Sequence, residues 1–399
     1  VNKTQAVIKT IQAEMNEIHF ERRELVHSIW VAFVGQQHLL VVGAPGSGKS
    51  QIMRDATSRI DGARYFEVAL DETSTPDQVL GPVSIKTMAE EDIIIRNTTG
   101  MLPNATHAFI DEYFNANGPV RHALMPIQNE RVIHNGGKVQ QTDVRSIVMG
   151  TNKLDADQDQ AAGWDRIHHR HIVDYVADKE HMEAMFDQAI ERKLSTYIRP
   201  KFTTVGLAAL DSAHDEAMSL NRPQGVRDAY LDLLHQLKRE GYVISSRRQV
   251  EGLYAAMANA YVAGHDELRI GDLAVLQYMF WSTQDQLTQV RGIVLGACNP
   301  SEKAALELVE QLKALKGDFE SASTLERAKR VTAGMDTFKK AYDLEERATK
   351  LRAKAESEGG GTQRIEDLYN GALALRTRLA NEVFQVPIDK VMAVERHRR

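Results

Sequence analysis

A single cysteine, Cys298, occurs in 399 residues. That excludes an internal disulfide and a cysteine-rich zinc site, and fits a reducing, cytoplasmic compartment. No run of about 18 apolar residues is present, so no membrane-spanning helix is expected. The first residues, VNKTQAVIKTIQAEM, lack the basic-then-apolar layout of a secretory leader. Charge of one sign is missing too. With 49 Lys and Arg against 55 Asp and Glu, the net charge is -6, which gives no global basic field for nucleic acid. The small basic tail over 394–399 is read as a solvated end. What remains is ordinary globular composition, 43% hydrophobic and 26% charged, in a chain long enough for two or three domains at about 150 residues each.

Residues 1–35 have apolar positions at helical spacing: Val7, Ile8, Ile11, Met15, Ile18 and Leu25. The run 38–43 ends in Gly43 and reads as a buried parallel strand. Further strand-like runs at 65–70, 108–110, 146–149 and 171–176 alternate with polar or helical stretches, which predicts an α/β layer fold with a parallel sheet. Two interruptions read as hairpins: 83–105, with its Ile-Ile-Ile-Arg run and Gly100, and 130–145, where Asn-Gly-Gly marks a tight turn. Beyond about 180 the pattern is helical throughout. Leu231, Leu233, Leu234 and Leu237 share one helix, and Ala255, Ala256, Ala258 and Ala260 predict close helix contact. Leu325, Ala328, Val331, Met335, Phe338 and Tyr342 keep spacings of three and four. A glycine-rich break at 358–361 and a second helix through Leu379 and Val383 then predict a C-terminal helical hairpin. The expected division is 1–195, a nucleotide-binding core; 196–285, a helical lid; and 286–399, a helical extension.

The residues at 43–50, Gly-Ala-Pro-Gly-Ser-Gly-Lys-Ser, fit G-x-x-x-x-G-K-[ST] between a strand and a helix. The glycines Gly43, Gly46 and Gly48 let the backbone curl so that its N–H groups converge on phosphate oxygens, with Ala44, Pro45 and Ser47 completing the loop. The following helix offers its positive end. Lys49 can reach the β- and γ-phosphates, and the Ser50 hydroxyl can ligate Mg²⁺. About 60 residues on, an apolar strand ends in Asp111 and Glu112, which suits a metal-holding carboxylate followed by a base for water. Asn152 closes another strand and can orient that water. Arg166 and Arg170 can stabilise transition-state charge in a neighbouring site, and Arg247 begins a helix that can close onto the nucleotide.

His168, His169 and His171 lack a matching carboxylate, so surface or interface histidines are expected rather than a metal site. Cys298 has no basic partner to activate it. The three tryptophans are expected in the core or an interface.

Together these segments resemble a MoxR-group AAA+ ATPase, nearest to the RavA branch. The resemblance is carried by GAPGSGKS, STPDQVLGPVSI (74–85), TGMLPNA (99–105), FIDEYFNANGP (109–119), QNERVIHNG (128–136), MGTN, WDRIHHRHIVDYV (164–176) and SSRRQVEGL (245–253). It runs in order over roughly residues 1–300; beyond that there is no counterpart, and RavA's small β-rich accessory domain is absent. The fold so implied is a P-loop AAA+ core, a parallel sheet flanked by helices, with an all-α lid and here a C-terminal helical hairpin. The resemblance implies that 43–50 is the Walker A loop, Asp111 and Glu112 Walker B, Asn152 sensor 1 and Arg247 sensor 2. Arg166 is the implied arginine finger, with Arg170 the alternative. Residues 83–100 resemble the helix-2 insert and 131–143 the pre-sensor-1 hairpin. Asn115 stands where the family has lysine, and the stretch after Asn152 is unusually acidic; both bear on contacts between subunits.

The leading expectation is a ring-forming ATPase, hexameric, using ATP and Mg²⁺ to remodel a protein client with a von Willebrand A domain partner. A nucleic-acid motor of McrB or minichromosome-maintenance type is the alternative. Its hairpins should be basic, whereas Lys86 and Arg96 here face Glu90, Glu91 and Asp92. A nucleotide-gated scaffold is the third reading.

Overall fold

The computed structural model describes residues 2–152, 154, 165–194, 202–322, 327–358 and 363–385. By its contacts the chain divides into two compact units, Val1–Leu268 with Val275–Arg291, and Arg269–Ala274 with Gly292–Arg399.

In the first unit α1 (Lys3–Ile18) and α2 (Arg23–Gly35) lead into β1 (Leu39–Gly43), α3 (Lys49–Ser58), β2 (Ile60–Asp61) and β3 (Tyr65–Ala69). Two short helices, α4 (Asp77–Leu80) and α5 (Ile85–Glu91), precede β4 (His107–Asp111), α6 (Gly118–Glu130) and the hairpin of β5 (Val132–Asn135) and β6 (Lys138–Gln141). Then come β7 (Ser146–Thr151), β8 (His169–Val173), α7 (Lys179–Lys193), β9 (Val205–Gly206), α8 (Leu207–Met218), α9 (Gln224–Arg239), α10 (Ser246–Ala263) and the start of α11 (Gln284–Cys298).

The main sheet has the order β3-β4-β7-β1-β8, with every neighbouring pair parallel. The apolar strands β1 and β7 are buried along their whole length, as a parallel sheet covered on both faces requires. One side packs Leu40, Ile110, Ile147 and Met149 with Val120, Leu124 and Ile127 of α6. Because β1 lies between β7 and β8, the chain leaves it at a point where neighbouring connections diverge, which is where parallel α/β sheets place ligands.

Local signals set the helix ends. Asn2 accepts the Gln5 N–H at 2.8 Å while its own N–H donates to Gln5 Oε1 at 2.7 Å, a reciprocal cap. Asn117, Asp178 and Ser245 cap α6, α7 and α10.

Several expectations are corrected. The first predicted hairpin contains the helix α5, and the residues flanking it meet only in an isolated antiparallel bridge between Val83 and Arg96. The second hairpin forms, with Gly136 and Gly137 both at positive φ. The strand expected at 171–176 begins at His169 and ends at Val173; Asp174 and Tyr175 leave the sheet to bond with other loops. Leu231 is exposed, while Leu233 and Leu237 are buried. Ala255, Ala256, Ala258 and Ala260 are all buried. Trp30 and Trp281 are core residues; Trp164 lies outside the described residues.

The second unit holds α12 (Pro300–Ala322), α13 (Arg327–Glu358) and α14 (Gln363–Leu379), closed by a π-helical turn Ala380–Phe384. The expected hairpin is α13 with α14, and α12 packs with them through Leu308, Leu312 and Phe319 against Leu344, Leu368 and Leu375. Arg376 is buried between the rings of Phe338 and Tyr342, 4.7 and 4.6 Å from their centroids, and bonds Glu345. Met335, expected on the buried face, is exposed. Leu325, the 359–362 turn and the basic tail lie outside the described residues. Among the described residues no helix is long and apolar enough to cross a membrane.

Candidate functional site

The strands β1, β4 and β7 all deliver their C-terminal ends to one edge of the sheet, and the polar residues singled out in the sequence emerge there. After β1 the loop 43–50 turns back on itself with Gly46 at φ +79 and Gly48 at φ +88, conformations that side chains rarely adopt. A Cβ on Gly43 would stand 2.5 Å from Val173 Cγ2 and 2.6 Å from Val173 O, so β8 fixes the base of the loop. Lys49 opens α3 and is almost fully buried. Its Nζ donates to Gly43 O at 2.7 Å and Ala44 O at 3.4 Å, folding the cation into the loop. Ser47 Oγ is buried without a hydrogen-bond partner among the described residues. Ser50 is half-buried one residue further along α3.

Asp111 ends β4, and its Oδ1 accepts the Glu112 N–H at 3.0 Å. This carboxylate rests on Gly150 of β7, where a Cβ would come within 2.3 Å of Asp111 Oδ1. Glu112 has φ 52, an uncommon conformation for a residue with a side chain. Asn115 Nδ2 donates to Glu112 Oε2 at 3.0 Å, and its backbone N–H donates to Glu112 O at 2.9 Å. The acid is therefore held within its own turn. Asn152 follows Thr151, which pairs with Val42 of β1; it stands beside the start of the loop.

The arginines are elsewhere. Arg166 precedes β8, half-buried, with Nε donating to Asn129 Oδ1 at 2.9 Å. It lies at the opposite edge of the sheet from the 43–50 loop. Register confirms the separation: His169 pairs with Leu39 and Val173 with Gly43, about 13 Å of strand at roughly 3.3 Å per residue. Ser245 Oγ donates to Asp165 Oδ1 at 2.6 Å, which places the exposed Arg247 on that same remote edge. Arg247, expected to close onto a nucleotide, therefore stands apart from the 43–50 loop of its own chain. Arg170 is buried on β8, bonded to Trp281 O and 5.9 Å over the Trp281 ring; it has no surface to offer a neighbour. Arg248, next to Arg247 in the sequence, is also buried and donates to the carbonyls of Met279 and Trp281.

His168, His169 and His171 are buried within the chain, whereas a surface or interface position was expected. Burial pushes His169 and His171 down to about 3 and His168 far below its ordinary value. No cluster of three metal-ligating side chains occurs among the described residues. Cys298 is buried, its thiol pushed up to about 12 by burial.

Sequence reasoning missed one wall of the site. A cavity of about 310 Å³ opens beside the loop, lined by Ile18, Phe20, Tyr175, Met182 and Met185 together with Gly46 and Lys49. Its parts are stitched by side chains. Arg22 donates to Ser47 O at 3.4 Å and to Asp174 O, and Tyr175 Oη donates to Pro45 O at 2.9 Å. Glu21, at φ 58, accepts the N–H groups of Ala177 and Asp178 and faces His181 Nδ1 at 3.1 Å. Burial alone would raise its pKa, but these donors outweigh it and hold the carboxyl below its ordinary value. No motif in the sequence marks this wall; its residues come from three separate segments.

With this geometry in hand, three comparisons bear on it. A family model for the MoxR domain of MoxR–vWA–β-propeller ternary systems matches residues 6–210, and an AAA lid-domain model matches 226–294. Two uncharacterised proteins of Methanocaldococcus jannaschii are each 30% identical, over 312 and 313 residues. Each match covers 78% of this chain and 80% or 82% of the relative. The fold is similar to that in a crystal structure of a candidate ATPase from Cytophaga hutchinsonii, with a TM-score of 0.59, 13% identity, and coverage of 74% of this chain and 94% of that one.

Proposed function

The chain belongs to the MoxR family of AAA+ ATPases, and on that premise we propose that it is a ring-forming, Mg²⁺-dependent ATP hydrolase of RavA-like type. It couples hydrolysis to the remodelling or activation of a protein partner in the cytoplasm. The observation that carries the reading is the 43–50 loop: two glycines at positive φ, a buried cation folded inside, and a buried Ser47 hydroxyl with no partner among the described residues, at the same end of the sheet as Asp111. A triphosphate fits these groups. Lys49 would exchange its two carbonyl partners for β- and γ-phosphate oxygens, and the N–H groups of the loop and of α3 would surround the chain of phosphates. Ser50 and Asp111 would hold the metal, with phosphate oxygens and water supplying the rest of its ligands. Bound there, Mg²⁺ neutralises phosphate charge.

Glu112 is the base that orients the attacking water, and Asn152 marks the γ-phosphate position. Asn115 holds one oxygen of Glu112, so release of that bond frees the base. The apolar wall of Ile18, Phe20, Met182 and Met185 takes the purine. Arg166 and Arg247, remote from their own loop, serve the nucleotide of the adjacent subunit, and a hexamer brings the edges together. The burial of Arg170 supports assigning that role to Arg166 instead. The division into core (1–195), lid (196–285) and extension (286–399) belongs to the same proposal. A von Willebrand A domain protein, with a β-propeller protein as in the named ternary systems, is the partner to seek, together with a protein client.

The test is capture with Glu112→Gln, expected to bind ATP without turning it over. A von Willebrand A protein retained with ATP and lost without it supports the reading. ATP-dependent capture of nucleic acid alone would overturn it in favour of a motor, and undiminished turnover by Glu112→Gln would remove the assigned base.

A further inference from the structure

An imidazole hydrogen-bonded to a carboxylate has its two nitrogens told apart. The carboxylate can only accept, so the proton sits on the bonded nitrogen, and the other nitrogen of the neutral ring offers a lone pair. His19 is such a ring. It ends α1, with its backbone N–H donating to Met15 O at 2.8 Å, and its Nε2 lies 2.9 Å from Asp55 Oδ2. The side chain is only 8% exposed, and it stands between Ile18 and Phe20 on the wall of the cavity of about 310 Å³. Its Nδ1 has no hydrogen-bond partner among the described residues, yet it is not sealed from solvent. Polar atoms so enclosed normally have a partner, and the space that His19 borders is the cavity.

Asp55 is itself fixed in place. It stands on α3, six residues beyond Lys49 and roughly 9 Å along the helix at about 1.5 Å per residue. Its Oδ1 accepts from Arg59 Nε at 3.0 Å. Arg59, 1% exposed, also bonds Glu14, which accepts the Thr203 N–H at 3.0 Å and the Thr203 hydroxyl at 2.5 Å. Burial alone would raise the pKa of Asp55, but the bond from His19 and the Arg59 charge outweigh it and hold the carboxyl below its ordinary value. Asp55 is therefore an anion with one oxygen on Arg59 and the other on His19. Arg22 and Gln188 also line the cavity, but Arg22 donates to Ser47 O and Asp174 O, and Gln188 Nε2 donates to Glu17 O at 3.1 Å.

We propose that His19, oriented by Asp55, reads the base of the nucleotide: its Nδ1 accepts a hydrogen bond from the exocyclic amino group of adenine and opposes a carbonyl oxygen in the same place. The apolar wall of Ile18, Phe20, Met182 and Met185 holds any purine alike, so discrimination needs a polar group, and this hydrogen bond supplies it. The proposal deepens the ATPase reading above and rests on it, since the phosphates must lie on the 43–50 loop for the base to reach the cavity. Asp55 touches no part of the nucleotide and acts as a positioning residue.

The probes are ADP, inosine 5′-diphosphate, which carries a carbonyl oxygen where adenine has its amino group, and purine riboside 5′-diphosphate, which carries hydrogen there. Each displaces a fluorescent ADP analogue from the full chain with Mg²⁺ at pH 8.5, where imidazole is ordinarily neutral. Pyrophosphate reports on the phosphate half alone. ADP is expected to bind about fivefold to tenfold more tightly than purine riboside diphosphate, and inosine diphosphate more weakly than either. His19→Ala should bind all three alike, with pyrophosphate affinity unchanged. Asp55→Asn should reverse the order. Its oxygen stays with Arg59 Nε, so its amide donates to His19 Nε2, the ring proton moves to Nδ1, and the carbonyl of inosine becomes the matched partner. Equal affinities for the three nucleotides in the wild type would overturn the proposal, even where pyrophosphate binds and the phosphate site stands. So would an ADP preference that survives His19→Ala, or equal weakening of all three by Asp55→Asn. Failure of both ADP and pyrophosphate to bind the wild type would overturn the ATPase reading and this proposal with it.

Discussion

Acidification should unfold this protein over a narrow range. His38, His107, His168, His169 and His171 are all buried in the first unit, and burial drives the pKa of each downward, to about 3 for His107, His169 and His171. Arg131 Nη1 lies against His38 Nε2, which further disfavours a proton there. In the unfolded chain the same imidazoles titrate near 6.5. As pH falls through that value the unfolded state takes up protons and the folded state does not. Stability is therefore complete above about pH 6.5 and is lost below it. At pH 5.5 each histidine removes on the order of 1 kcal/mol, and the five together remove several kcal/mol. That is comparable to the whole stability of a typical domain. Urea denaturation of the nucleotide-free chain from pH 8 to pH 5 measures this directly. His107→Phe isolates one site, because the ring already packs edge-on against Phe33 at 4.5 Å and its Nε2 has no partner among the described residues. The variant should flatten the acid slope by about 1.4 kcal/mol per pH unit. An unchanged urea midpoint between pH 7.5 and 5.5 would refute the reasoning.

Four further outcomes follow from the site. Gly150→Ala puts a Cβ 2.3 Å from Asp111 Oδ1. The carboxylate must retreat by most of an ångström, and turnover should drop about 100-fold; Gly118→Ala, with open space around it, is the control, and equal Mg²⁺-dependent rates in both would contradict the role of Asp111. Arg166→Ala should cost about 10³-fold or more in kcat yet regain part of it when mixed with Glu112→Gln chains, because each variant supplies what the other lacks; no recovery in mixtures argues against action between subunits. Arg22→Ala cuts the tie between Ser47 O and Asp174 O, so KM for ATP should rise several-fold while kcat changes little, as steady-state kinetics will show. Asn115→Ala frees Glu112 Oε2, and basal kcat should rise at constant KM; a fall would make Asn115 a support for the base rather than a restraint.

The loop and carboxylates proposed to face a nucleotide were legible because phosphate chemistry demands fixed spacing. Gly46, Gly48, Lys49, Asp111 and Glu112 sit at strand ends that hydrophobic patterning alone locates. Legibility failed where the decisive contact is between distant segments. Nothing local distinguishes Arg166 from Arg170, four residues apart. One precedes β8 and bonds Asn129; the other points into the core against Trp281. Met335 and Leu231 fit a helical stripe but face water, since the width of a buried stripe depends on which neighbours cover it. The Ile-Ile-Ile-Arg run reads as strand by propensity. Yet the residues before it form α5, capped by Ser84, and the run itself is held by Gly136 and Asn135 rather than by a ladder.

Strand β8 links these separate features into one mechanical argument. Its first residues follow Arg166, and Asp165 ties the start of α10, hence Arg247, to the same end. Its last residue wedges against Gly43, and the chain beyond it bonds to Arg22 and Pro45 around the cavity. Between the two ends the strand is held on both sides: it is paired in register with β1 over five residues, with Arg170 bonded to Trp281 O and His171 stacked on Tyr278 at 4.3 Å. A displacement at one end cannot be absorbed by bending, since interiors this closely packed shift as a body. In the proposed ring, one end of β8 abuts its own nucleotide and the other delivers arginines to the next. On that proposal, loss of the γ-phosphate in one subunit would alter the arginine contacts in its neighbour without any separate signalling element.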